Sequence, residues 1–82
     1  MIHQLKIKEE YYRAIRDRKK RFEVRKNDRN FKCGDYLALN KVDETGTETG
    51  ESLLVKVGYL LDNPDYCKEG FVIMDIAVVA EY

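Results

Sequence analysis

Residues 18–29 read RKKRFEVRKNDR, a stretch with seven positive and two negative charges in a chain whose formal net charge is zero. At its centre, Phe22-Glu23-Val24-Arg25 alternates apolar and charged side chains. A two-residue period is that of a half-buried β-strand, not of a disordered basic tail. With Phe22 and Val24 turned to the core, Arg21, Glu23 and Arg25 share the opposite face. Asn27-Asp28-Arg29-Asn30 follows as a turn. Reading Arg21–Lys26 as a strand, and not as an extension of the helix before it, makes the chain predominantly β.

Outward from that strand the pattern continues. Upstream, Glu9–Arg18 reads as a helix in which Tyr11, Ala14, Ile15 and Arg18 fall on one face. Its acidic residues lie at the start and its basic residues at the end, as the helix dipole favours. Ile2–Ile7 reads as a short first strand. Downstream, Cys33-Gly34-Asp35 turns into a third strand, Tyr36–Val42, and DETGTETGE (residues 43–51) is a polar hairpin loop. Ser52–Leu61 is a fourth strand, residues 62–70 a loop containing Pro64, and Phe71–Val79 a buried closing strand. The order β-α-β-β-β-β predicts an α+β, mainly β domain: a small antiparallel or mixed barrel with one principal helix against it, the alternative being an open α+β sheet. Phe22, Val24, Leu37, Leu39, Val55, Val57, Val72 and Ile76 are the expected core.

At 82 residues the chain is one domain, 1–82, with 44% hydrophobic residues to build its core. No apolar run is long enough to span a bilayer, and MIHQLKIKEE has no signal-peptide character. A cytoplasmic protein with no membrane association is expected. Cys33 and Cys67 lie in no metal-ligand spacing and are expected as reduced thiols packed as small hydrophobes. Even with His3 recruited, a zinc site lacks its ligands, so neither metal nor cofactor is expected. The neutral total conceals a division. Residues 1–32 hold twelve Lys or Arg against five acids, net +7, and residues 33–82 hold three against ten, net −7. Either the fold gathers one cationic, phosphate-attracting face, or the two halves interleave and neutralise each other.

Lys20, Glu23 and Arg25 form K-x-x-E-x-R where the helix gives way to the strand. Taken alone, this is a surface ion ladder or the lining of a concave site. With Arg25-Lys26-Asn27-Asp28-Arg29, Phe31, Gly34-Asp35, the initial His3-Gln4-Leu5-Lys6-Ile7 and Glu69-Gly70-Phe71-Val72-Ile73, it resembles the ASCH domain of the PUA-like superfamily. That signature is written G-x-K-x-x-E-x-R, and the whole chain is similar to the small bacterial and phage branch of ASCH-like proteins. Arg18 stands where the signature has glycine. The resemblance implies a PUA-like β-barrel with a cleft between helix and sheet, and RNA or a nucleotide-derived ligand as partner. In that setting Arg25 offers a planar fork to a phosphate or base edge, Lys20 a point cation, and Glu23 either accepts from a base or holds Arg25. Arg29 and His3 are further candidate ligand-binding residues. Tyr11, Tyr12 or Tyr36 can stack on a base or cover the core.

The same resemblance raises two enzymatic alternatives. Some ASCH-like relatives hydrolyse N4-acetylated cytosine nucleosides with the signature lysine, a threonine and a further glutamate. Lys20 and Glu23 are then the candidate catalytic residues. Here Glu23 occupies the threonine position, and the segment bearing the extra glutamate is reduced to the 62–70 loop. An ion pair with a carboxylate also favours the charged, non-nucleophilic form of an amine. A ribonuclease using Glu23 with a second acid such as Asp75 is the other alternative. Asp75, within IMDIAVV, must either point outward or be paired. A binding module is the preferred reading.

Overall fold

Leu37 with Leu39, Val55 with Val57, and Val72 with Ile76 keep even spacings, and all six are buried. Even spacing on a pleated strand puts side chains on one face. The structure is a computed structural model that describes all 82 residues. Along the chain run β1 (Ile2–Lys8), α1 (Glu9–Arg16), β2 (Phe22–Lys26), β3 (Tyr36–Val42), β4 (Glu48–Leu61) and β5 (Phe71–Glu81). The strands form one five-stranded sheet in the order β1-β3-β4-β5-β2. β1 and β3 are parallel, and the other neighbours are antiparallel.

Register shifts interrupt β3–β4 between Asn40 and Val42, and β4–β5 between Leu54 and Val55 and again between Val57 and Leu60. Each irregularity adds local twist and bend. The sheet therefore curls into a half-barrel around Leu5, Ile7, Leu37, Leu39, Leu53, Val55, Val57, Val72, Met74 and Ile76. It does not close by backbone pairing, because the edge strands β1 and β2 have no ladder between them. α1 covers the core with Tyr12 and Ile15, while Tyr11 stays exposed and Ala14 half-buried. No helix is long and apolar enough to cross a membrane.

Three boundaries differ by two residues or more from the sequence expectation, each for a local reason. α1 stops at Arg16 because the chain turns left-handed at Arg18, φ 63°. Arg18 N–H donates to Ile15 O at 3.0 Å and Lys19 N–H to Ala14 O at 2.9 Å, the two bonds of a Schellman ending. Glycine ordinarily holds that position because it has no Cβ to clash. The 43–51 loop shrinks to a turn. Asp43 Oδ1 accepts from Thr45 N–H, Thr45 Oγ1 and Thr47 N–H, so β4 begins at Glu48. β5 runs on to Glu81, which pairs with Leu53. Both cysteines are free, but only Cys67 is half-buried, while Cys33 is exposed on the turn before β3.

The largest departure is β2. Phe22 and Val24 are 47% and 49% exposed, whereas Glu23 is only 3% exposed. The strand is present and alternates as expected, but its charged face points inward. The reason lies in its place. β2 is an edge strand beside an open seam, so an inward side chain here does not have to be apolar. An inward Glu23 finds two cations.

Candidate ligand-binding cleft

β1 and β2 come from the N-terminal, cationic part of the chain and form the two edges of the sheet. Curling brings those edges toward each other and concentrates the basic residues along the seam. Alternating hydrogen bonding decides which backbone groups look into it. Ile76 N–H donates to Arg21 O and Asn27 N–H to Gly70 O, so residues 21, 23, 25 and 27 of β2 face β5. The peptide groups of Phe22, Val24 and Lys26 therefore face the seam. Across it, Tyr36 N–H donates to Met1 O, which turns odd-numbered residues of β1 toward β3 and leaves Gln4, Lys6 and Lys8 facing β2.

Side chains bridge what the backbone does not. Arg25 donates from Nη2 to Lys6 O at 3.0 Å, and Arg29 from Nη1 to Gln4 O at 2.7 Å. Beside the Arg25 strap, toward α1, lies a cleft of about 490 Å³. Lys6, Ile7 and Lys8 form one wall, Phe22 and Val24 the other, and Tyr11 stands at the helix end. Lys20, Glu23 and Arg25 converge on it.

The three charged residues make one unit. Glu23 Oε1 accepts from Lys20 Nζ at 2.8 Å, and Oε2 accepts from Arg25 Nε at 2.7 Å. Lys20 Nζ also donates to Phe22 O at 2.7 Å and sits 4.8 Å from the Phe22 ring centroid and 5.5 Å from that of Tyr11. Both oxygens of the buried carboxylate are thus occupied, which is the condition under which a buried charge is tolerated. One carboxylate serves two cations, and Lys6 and Lys8 add positive charge opposite. The cleft carries a net excess of cation in a setting partly shielded from water, where an anion is attracted more strongly than at a flat surface.

The other residues singled out by sequence occupy different places. Arg29 lies farther along the same seam. His3 is on the inner face of β1, 6% exposed, with Nε2 2.8 Å from Asp35 Oδ2 and its ring edge-on to Phe31. It fastens β1 to the turn before β3 and does not line the cleft. That hydrogen bond, followed by the one from Lys32 N–H, holds the Asp35 carboxyl below the ordinary aspartate value. Asp75 points outward, opposite Phe22 across the strands, with its carboxylate over Gly58. Glu23 faces inward, so the two acids lie on opposite sides of the sheet and cannot share an ion. Of the tyrosines, Tyr12 is core, Tyr36 is half-buried with Lys56 over its ring, and Tyr11 borders the cleft. Lys6 and Lys8 escaped the sequence reading. Their signal was their position on the outward face of an edge strand entering the helix.

The chain matches, over residues 2–76, the family described as a domain of unknown function, DUF3850, and belongs to it. It is 32% identical over 68 residues to an uncharacterized 12.9 kDa protein in the GpA 3′ region of Escherichia phage P2. That alignment takes in 83% of this chain and 62% of the phage protein, so the chain spans a little under two thirds of that relative. In fold it is similar to the crystal structure of hypothetical protein PH0355, with a TM-score of 0.64 and 20% identity over 96% of this chain and all of the other. It is also similar to the solution structure of protein PF0455 from Pyrococcus furiosus, with a TM-score of 0.54 and 20% identity over 96% of this chain and 98% of that one.

Proposed function

We propose that the cleft binds single-stranded RNA or a nucleotide-derived ligand, and that the domain is an ASCH-type, PUA-like binding module. One observation carries this reading: Lys20 and Arg25 are organised by a single buried carboxylate into a concave, net-positive site with aromatic rings at its rim. Phosphate oxygens suit such a site because a charged acceptor makes stronger hydrogen bonds than a backbone carbonyl. Tyr11 and Phe22 offer faces for a base. Lys20 and Arg25 contact the ligand, Glu23 positions both of them, and Arg29 extends the cationic track. His3 serves as an anchor for β1.

Catalysis is not part of the proposal. Lys20 Nζ is engaged by the Phe22 carbonyl and the Glu23 carboxylate, and a carboxylate partner favours the charged, non-nucleophilic form of an amine. The test is direct titration of a labelled single-stranded RNA at two salt concentrations, with acetylcytidine conversion followed in parallel. Binding that weakens steeply with salt and no turnover is the expected result. Salt-indifferent binding, or turnover abolished by Lys20→Met, overturns it.

A further inference from the structure

Along the part of the seam that borders the cleft, nearly every outward carbonyl is already taken. Lys6 O accepts from Arg25, Gln4 O from Arg29, Phe22 O from Lys20, and Lys26 O from Asp28 N–H. Lys8 is the N-cap of α1, so its carbonyl accepts the first bond of the helix. Val24 O is left. Its own N–H lies beside it on the same edge, the Lys26 N–H follows, and the Arg25 guanidinium is next door. Glu23, the only carboxylate in the cleft, has both oxygens committed. Among the backbone carbonyls on this stretch of the seam, Val24 O is therefore the one without a hydrogen bond, and donors flank it.

We infer that the Val24 peptide group reads the imide edge of a uracil-type base, resting on the reading of the cleft as a nucleotide site. An imide is the chemical complement of that edge: one N–H between two carbonyls, a donor flanked by acceptors. Cytosine replaces the donor with an acceptor and one flanking acceptor with an amino group, so its edge opposes like groups at Val24. The occupied carbonyls also disfavour an added peptide strand. A strand needs successive free carbonyls along β2, and those of Phe22 and Lys26 are occupied while Arg25 and Arg29 cross the lane. Val24 acts through its backbone, which explains why a valine side chain half in solvent can stand at the centre of a site.

The test compares uridine 5′-monophosphate with cytidine 5′-monophosphate, N3-methyluridine 5′-monophosphate and ribose 5-phosphate, by calorimetric titration and by the amide resonance of Val24. Uridine monophosphate is expected to bind about tenfold or more tightly than the other three and to shift the Val24 amide, the scale of one or two matched hydrogen bonds. Val24→Pro deletes the donor while leaving the β5 ladder intact, since an edge residue whose N–H faces away accommodates proline. It should lose about tenfold for uridine monophosphate, and Val24→Ala, which keeps the peptide, should lose little. The methylated nucleotide poses the same question from the ligand side even if the proline variant does not fold. Equal affinities for uridine monophosphate and ribose 5-phosphate would overturn the role of Val24 while leaving the cationic cleft standing. Absence of binding by any nucleotide and by RNA would remove the cleft reading itself. Protection of residues 22–26 by an extended peptide and not by uridine monophosphate would make β2 a strand acceptor and defeat the proposal.

Discussion

Two ion clusters flank α1 with opposite composition. On the seam side, one acid serves two cations: Glu23 between Lys20 and Arg25, with Tyr11 and Phe22 about the lysine. On the hairpin side, one cation serves two acids: Lys41 is 3.0 Å from Glu51 and 3.6 Å from Glu9, with its Nζ 5.3 Å from the Tyr12 ring. The ingredients match and the shared member is shielded in both, Glu23 and Lys41 alike, but only on the hairpin side are the paired members open to water. Side chains of Glu9 and Glu51 are about half exposed. Glu51, chiefly through its hydrogen bond, holds the Lys41 ammonium above the ordinary lysine value. The lesson is one of sign and burial. The seam cluster has surplus positive charge, an enclosed geometry and a carboxylate that cannot lose its partners cheaply. The hairpin cluster has a shielded lysine but acids open to water, which weakens its ion pairs.

The largest expected break in that comparison comes from the acids. Glu23→Ala leaves Lys20 and Arg25 facing each other in a partly buried site and should destabilise the fold by about 3 kcal/mol, at the lower end for a broken buried pair. Glu51→Ala should fall within the scatter of ordinary surface substitutions. Urea unfolding of the two variants under one buffer gives the contrast, and similar midpoints would mean that the seam cluster is as solvated as the other. Next in size, Arg25→Ala should weaken single-stranded RNA binding about tenfold or more, whereas Lys41→Ala, which removes a cation already claimed by two acids, should leave it unchanged. Equal losses would argue against a localised site.

How far the sequence revealed this depends on the element. β3 and the apolar faces of β4 and β5 were legible because central strands have only one way to bury a period-two pattern. K-x-x-E-x-R spanning the helix–strand junction left a surface ion ladder and a concave site both open, and it is the fold that brings Lys20, Glu23 and Arg25 together. The facing of β2 was not legible from hydrophobicity. Alternation defines two faces, and the apolar one is the natural choice for the interior. Yet with Phe22 and Val24 inward, Glu23 and Arg25 lie on the outer surface of the sheet, where no cleft between helix and sheet can contain them. The two expectations were incompatible, and the charged motif was the better guide. Lys6 and Lys8 stayed hidden because their role depends on curling, which brings an edge strand at one end of the sheet opposite the other.

A pH titration separates a third pair from both clusters. Asp35 is held below the ordinary aspartate value by His3 first and Lys32 N–H next. A depressed folded value means that its stabilisation is fully present above the unfolded aspartate value and is lost as pH falls through the folded one. Stability should therefore decline on the acid side of the ordinary carboxylate range, and Asp35→Asn should flatten that limb while lowering stability near neutrality. An unchanged acid limb in this variant would assign it to other groups.

The smallest expected effect runs in the opposite direction. Arg18 stands in the left-handed region at φ 63°, and its guanidinium Nη1 donates only to Arg16 O at 2.6 Å on the exposed end of α1. A side chain there carries a steric penalty that glycine does not, against which glycine gives the unfolded chain more freedom. The Schellman bonds at Ile15 O and Ala14 O are made by backbone N–H groups and survive the change. Arg18→Gly should therefore raise stability by up to about 1 kcal/mol, a small upward shift in midpoint in the same urea series. Its charge lies outside the Lys20–Glu23–Arg25 unit, so RNA affinity should fall only by the small, salt-sensitive amount expected of one distant cation. If binding instead falls as far as in Arg25→Ala, Arg18 belongs to the site. The strained backbone at that position then has a functional reason, and the comparison between the two clusters has to be redrawn with three cations on the seam side.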